Sequence, residues 1–172
     1  MLFIPKLIKM NTPSQIKLQV GEIAPNFSAV SQNPDRSTEN IELNKILESG
    51  KKVLLVFYPG DDTPGCTAQL CGIRDVYKEY EDLGVVVLGV NHAGEESHLK
   101  FIKKYEFPFP IVVDQDKSIR AKYGAEKLFF KNITTKRSVF LIDTNKKILF
   151  IKWGQQDNEE ILNMLKTNNF TK

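Results

Sequence analysis

Four short apolar runs, separated by stretches of helical spacing, give the first picture of the chain. Between Gly50 and Gly60 the run Lys52-Val53-Leu54-Leu55-Val56-Phe57-Tyr58 is continuous rather than alternating. That pattern suits a strand covered on both faces, as in a parallel sheet. Val85 to Val90, following Gly84, predicts a second strand, and Ile111-Val112-Val113 a shorter third. The fourth run, Ser138 to Ile142, meets the turn signal Asp143-Thr144-Asn145, and Lys147 to Trp153 reads as its hairpin partner.

Helical patterns lie between these runs. Leu70, Ile73, Tyr77 and Tyr80 fall on one face and predict a helix from Thr63 to about Tyr80. Leu99, Ile102 and Tyr105 do the same, opened by Glu95-Glu96-Ser97, where acids suit a helix N-terminus. Ile161, Leu162 and Leu165 mark a last helix, with Asp157 or Asn158 as its cap. The order is β, α, β, α, β, short α, β, β, α, which predicts one α/β domain with a central mixed sheet and helices on both faces.

Composition changes this picture little. The chain has 172 residues, 41% hydrophobic and 26% charged, enough for one domain with a full core and short for two. Its 24 Lys and Arg against 21 Asp and Glu leave +3, and the basic residues are scattered in pairs rather than gathered in a stripe. Nothing there points to nucleic acid. No apolar run approaches the ~20 residues of a membrane span, so the expected setting is the cytoplasm.

Residues 1–19 read as an N-terminal arm ahead of a single domain over 20–172. The arm holds three lysines and no acid, which leaves organelle targeting open, although Arg is absent.

Two cysteines are too few to staple a secreted scaffold and point instead to metal or redox chemistry. They sit in Tyr58-Pro59-Gly60-Asp61-Asp62-Thr63-Pro64-Gly65-Cys66-Thr67-Ala68-Gln69-Leu70-Cys71, at the carboxyl end of the first buried strand. Ligands bind at that end of open α/β sheets. Thr63 is placed as N-cap and Pro64 as first helical residue, so Cys66 falls in the first turn. Free N–H groups and the helix dipole favour a thiolate there. Pro-Gly before Cys66 argues against its burial in an apolar core. Cys71, after apolar Leu70, reads by itself as a core residue.

Five residues along an ideal helix put two Cα atoms about 8.6 Å apart and about 140° around the axis, beyond the ~7 Å that disulfides tolerate. The pair can close only if the helix unwinds. Zinc would need more ligands than these two, and Asp114-Gln115-Asp116 lacks the Gly and Glu of a calcium loop, so no metal or cofactor is expected. His92 and His98 read as surface or loop residues.

With these residues in view, the sequence resembles the peroxiredoxins, and among them the bacterioferritin comigratory protein / peroxiredoxin Q group. Pro59, Thr63 and Cys66 meet the pattern Pro-x-x-x-Thr-x-x-Cys, and Cys71 stands where that group has its second cysteine. Gly21 to Phe27 and Arg137 to Asp143 also look like the family.

The resemblance implies a thioredoxin-like fold and reduction of hydrogen peroxide and organic hydroperoxides. Cys66 would be the peroxidatic thiolate and Cys71 the resolving thiol of the same subunit. Thr63 would orient thiolate and peroxide, Pro59 would shield the pocket, and Arg137 would supply the cation, with Arg74 a weaker candidate. A thioredoxin or similar dithiol protein would be the reductant, and a monomer would suffice. Asp61 and Asp62 depart from this picture by placing like charge beside a thiolate unless they face elsewhere. A dithiol–disulfide oxidoreductase would be expected to carry Cys-x-x-Cys, which is absent. A redox sensor using the same switch remains an alternative that sequence does not separate.

Overall fold

The computed structural model describes residues 12–170. Seven strands form one sheet, ordered across it as Thr38–Glu42, Ser28–Gln32, Ile111–Val113, Val85–Asn91, Lys52–Phe57, Ser138–Ile142 and Ile148–Trp153. Its centre is β3 (Lys52–Phe57), which pairs in parallel with β4 (Val85–Asn91) and antiparallel with β8 (Ser138–Ile142). β5 (Ile111–Val113) continues the parallel side, and β9 (Ile148–Trp153) closes the hairpin after the Asp143 turn. All five predicted strands are present. β3 is buried on both faces because it alternates between two cores: Leu54 and Val56 point to one, Val53, Leu55 and Phe57 to the other.

The first core is roofed by α2 (Pro64–Asp75), α3 (Tyr77–Asp82), α4 (Glu95–Tyr105) and α6 (Asn158–Thr167), which contribute Leu70, Tyr80, Phe101 and Ile161. The second is covered by α1 (Leu43–Glu48) and α5 (Ser118–Lys122), through Leu43, Leu47 and Ile119. Helices therefore cover both faces of a mixed sheet. Asp157 caps α6, its carboxylate accepting from the N–H groups of Glu159 and Glu160.

Three departures from the sequence pattern have physical reasons. The expected helix from Thr63 to Tyr80 is broken at Val76, whose φ of −117° and ψ of 13° end the α2 ladder before α3 begins. An N-terminal unit of β1 (Ser28–Gln32), β2 (Thr38–Glu42) and α1 precedes the first expected strand. β2 is the sheet edge with only Ile41 buried, so its sequence shows little apolar pattern. A separate two-stranded hairpin, β6 (Glu126–Phe129) and β7 (Asn132–Thr135), stands off the sheet with Leu128, Phe129 and Phe130 exposed.

Of the residues read as an arm, 1–11 lie outside the described residues. Residues 12–18 form no helix or strand, yet the Ser14 N–H donates to Glu126 (2.8 Å) and Leu18 packs on the second core. Gly124, at φ +63°, lets that segment pass: a Cβ there would stand 2.2 Å from the Ile16 carbonyl oxygen. Among the described residues no helix is long and apolar enough to cross a membrane.

Candidate active site

The pairing of β3 with β8 builds the site. Phe57 is opposite Ser138 in an antiparallel ladder, so Arg137 emerges at the carboxyl end of β3, where the chain turns into α2. Thr63 is the N-cap of α2 with extended backbone, Pro64 opens the helix, and Cys66 lies in the first turn, as expected. The Thr63 hydroxyl does not cap the helix; it donates to the Gly60 carbonyl (3.0 Å) and folds the loop on itself. Pro59 lies half-buried before this turn.

Arg137 Nη2 stands 3.4 Å from Cys66 Sγ. Nη1 donates to the Gly65 carbonyl (3.3 Å) and closely to Gln69 Oε1. The guanidinium lies so near the backbone that a Cβ on Gly65 would be 3.1 Å from Nη2, and a larger residue there would push the guanidinium back by a few tenths of an ångström. A planar fork of donors thus holds the sulfur, a carbonyl and an amide together.

Burial of the cysteines reverses the sequence reading. Cys66 is 1% exposed and belongs to the first core, while Cys71 is half-buried and packs at its margin. Pro64 and Gly65 lie on the outer side of the first turn, while Cys66, Gln69, Leu70 and Ile73 form the inner face of α2, so helical geometry carries the sulfur inward. Both thiols are free and share one intact helix.

The acids of the loop are both bonded to α4. Asp61 Oδ1 accepts from the Tyr58 hydroxyl (2.7 Å), and Oδ2 accepts from Ser97 Oγ (2.6 Å) and meets His98 Nδ1 (2.7 Å). Burial by itself would raise the Asp61 carboxyl, but His98, Ser97 and Tyr58 outweigh it and hold it below the usual carboxylate range. Burial and the neighbouring Asp61 push the Tyr58 hydroxyl well above its ordinary value. Asp62 is exposed, bonded to Lys104 and Tyr105, which hold its carboxyl low.

His98 is therefore no surface residue; it is fully buried on α4, with Nε2 lacking a hydrogen-bond partner among the described residues. His92 is half-buried. Arg74 faces away from Cys66, donating to the Tyr105 carbonyl (2.7 Å) and pairing with Asp75. Asp114 binds the N–H groups of Ile119 and Arg120 at the head of α5.

Two residues were missed by sequence reasoning. Gln69 carries no role in the sequence beyond its place between the two cysteines, yet it is fully buried and bonded at both ends of its amide: Oε1 accepts from Arg137, and Nε2 donates to Gln156 Oε1 (3.0 Å). Gln156, in the loop before α6, returns a bond from Nε2 to the Gln69 carbonyl (3.2 Å). A buried polar pair across 87 residues leaves no local trace; only the burial of Gln69 on a helical face could have hinted at it.

A buried sulfur in the first turn of a helix, under an arginine, at the carboxyl edge of such a sheet defines a thiol oxidoreductase built on a thioredoxin-like frame. The chain belongs to the AhpC/TSA family, whose profile matches residues 20–151. It is 39% identical over 132 residues to a putative peroxiredoxin bcp of Coxiella burnetii, covering 74% of this chain and 83% of that one. Identity to the chloroplastic peroxiredoxin Q of Triticum aestivum is 33% over 144 residues, covering 84% of this chain but 63% of that longer protein.

Among solved structures, peroxidoxin BcpB of Mycobacterium tuberculosis superposes with a TM-score of 0.77 at 25% identity, covering 89% of this chain and 99% of that one. A cysteine-to-serine mutant of Xylella fastidiosa PrxQ gives 0.76 at 26%, covering 89% and 98%. These relatives are peroxiredoxins, and the class of activity is thiol-dependent peroxide reduction.

Proposed function

We propose that the chain reduces hydroperoxides with Cys66 as the attacking thiolate and Cys71 as the resolving thiol. The observation that carries this reading is the Arg137 guanidinium 3.4 Å from a sulfur seated in the first turn of α2. A thiolate there faces a fixed cation and the positive end of a helix.

Sulfur attacks the terminal oxygen of the peroxide, the O–O bond breaks, and the departing oxygen leaves as water or alcohol after taking a proton. Donors aimed at the reacting centre stabilise the charge that develops. Cys66 is left as a sulfenic acid, and the Cys71 thiol condenses with it, forming the S–S bond and releasing water. A dithiol protein of thioredoxin type then transfers two electrons to the disulfide. Thr63 shapes the loop beside the sulfur and Pro59 covers it. A monomer suffices because both sulfurs lie on one helix, and the cytoplasm supplies such reductants.

One equivalent of hydrogen peroxide added to reduced protein is expected to remove two mass units and both free thiols from a monomer. Two unreacted thiols would overturn the reading.

A further inference from the structure

The cycle proposed above demands a movement that the fold resists at one identifiable place. Cys66 and Cys71 lie within α2, five residues apart on an unbroken helix. That geometry holds their Cα atoms about 8.6 Å apart, so the segment between them must uncoil before a disulfide can close. Gln69 lies in the middle of that segment. Its main-chain carbonyl accepts from Gln156 Nε2 (3.2 Å), and its side-chain Nε2 donates to Gln156 Oε1 (3.0 Å). Both residues are buried, so neither bond can be exchanged for water while the helix stays in place.

We propose that Gln156 is a positioning residue that latches α2 closed and so sets how long the Cys66 sulfenic acid persists before Cys71 reaches it. The inference rests on the peroxidase reading above. Gln156 grips the segment that must move while making no contact with either sulfur among its hydrogen bonds. Arg137 also binds Gln69, but Arg137 touches Cys66 itself, so loss of its hold would disturb attack and closure together. Gln156 separates the two steps.

With the latch in place, the sulfenic acid stays beside Arg137, where a second peroxide can oxidise it to sulfinic acid at the cost of one more oxygen from that peroxide. With the latch released, Cys66–SOH and Cys71–SH lose water and close.

The experiment mixes reduced protein with hydrogen peroxide in rapid quench and follows three species by intact mass. These are free thiol, dimedone-trapped sulfenic acid and disulfide, with sulfinic acid scored at excess peroxide. In Gln156→Ala, closure is expected to speed up about tenfold, the range of one or two lost hydrogen bonds. The sulfinic fraction should fall, and the rate of thiol loss should stay within about twofold of the parent. Gln156→Leu removes both bonds to Gln69 but keeps most of the side-chain volume, so it should also close about tenfold faster and covers the case where the alanine variant fails to fold. Ile142→Val, which loosens the opposite core, should leave closure unchanged.

Closure at the parental rate in both Gln156 variants, or equal acceleration in Ile142→Val, overturns the latch. A parent that keeps both thiols would instead sink the peroxidase reading itself, so the two failures are told apart.

Discussion

Arg137 and Cys66 are 71 residues apart in the chain and 3.4 Å apart in space, and one strand pairing accounts for that distance. β8 runs antiparallel to β3 with Ser138 opposite Phe57, so the residue before β8 meets the loop after β3. Any shift of that register by one residue would turn the arginine to the other face.

Replacing Arg137 by Ala is expected to slow peroxide attack by about 10²-fold, the usual cost of removing one fixed donor from a developing charge. Arg137→Lys should recover little, because a single ammonium does not reach the sulfur, the Gly65 carbonyl and Gln69 together. Stopped-flow rates at several peroxide concentrations would check this; an alanine variant as fast as the parent would remove Arg137 from the site.

Cys66→Ser should abolish peroxide reduction. Cys71→Ser should stop at one sulfenic acid per chain, trapped by dimedone, with no disulfide. Steady turnover with thioredoxin by the Cys71 variant at the parental rate would mean that another thiol resolves Cys66.

Asp61→Asn should destabilise the fold by about 1–3 kcal/mol at neutral pH, since it removes the charged acceptor that the Tyr58 and Ser97 hydroxyls and the buried His98 ring share. The pH dependence has a definite sign. Asp61 is held below its ordinary value of 3.8, so the folded chain binds fewer protons there than the unfolded one. Its stabilisation is complete above that value and is lost as the pH falls through the lower folded value. Parent and variant should therefore converge in stability as the pH drops below about 4, in urea titrations at a series of pH values. A constant difference down to pH 2 would show that the carboxylate charge is not what holds this corner.

Gly124→Ala should cost about 1–3 kcal/mol, because it combines a left-handed backbone with a Cβ placed on the Ile16 carbonyl. Residues 12–18 should then leave the β6–β7 hairpin and become cleavable in limited proteolysis. A variant with parental melting temperature and cleavage pattern would show that this passage is not tight.

Much of this was legible in the sequence, and the reason differs from element to element. β3, β4, β5 and β8 are strands covered on both faces, so their apolar runs announce them directly. Pro64 and Cys66 took their places from local helix-start chemistry alone. What sequence did not reveal depends on partners far along the chain. The burial of Cys66 follows from how α2 rests on the sheet, and the fate of the loop acids follows from α4. Lone histidines such as His98 usually read as exposed, and only the arrival of Asp61 from another loop makes its burial tolerable. Gln69 and Gln156 are two ordinary polar residues until the fold sets them face to face.

The break at Val76 has a consequence for how far damage to α2 can travel. A helix melts along its hydrogen-bond ladder, each opened turn making the next easier. Here the ladder ends at Asp75, and the next turn belongs to α3, whose Tyr80 is tied by its hydroxyl to Asn158. The break acts as a firebreak: in the cycle proposed for Cys66 and Cys71, uncoiling of α2 stops at Asp75 and α3 keeps its place in the roof.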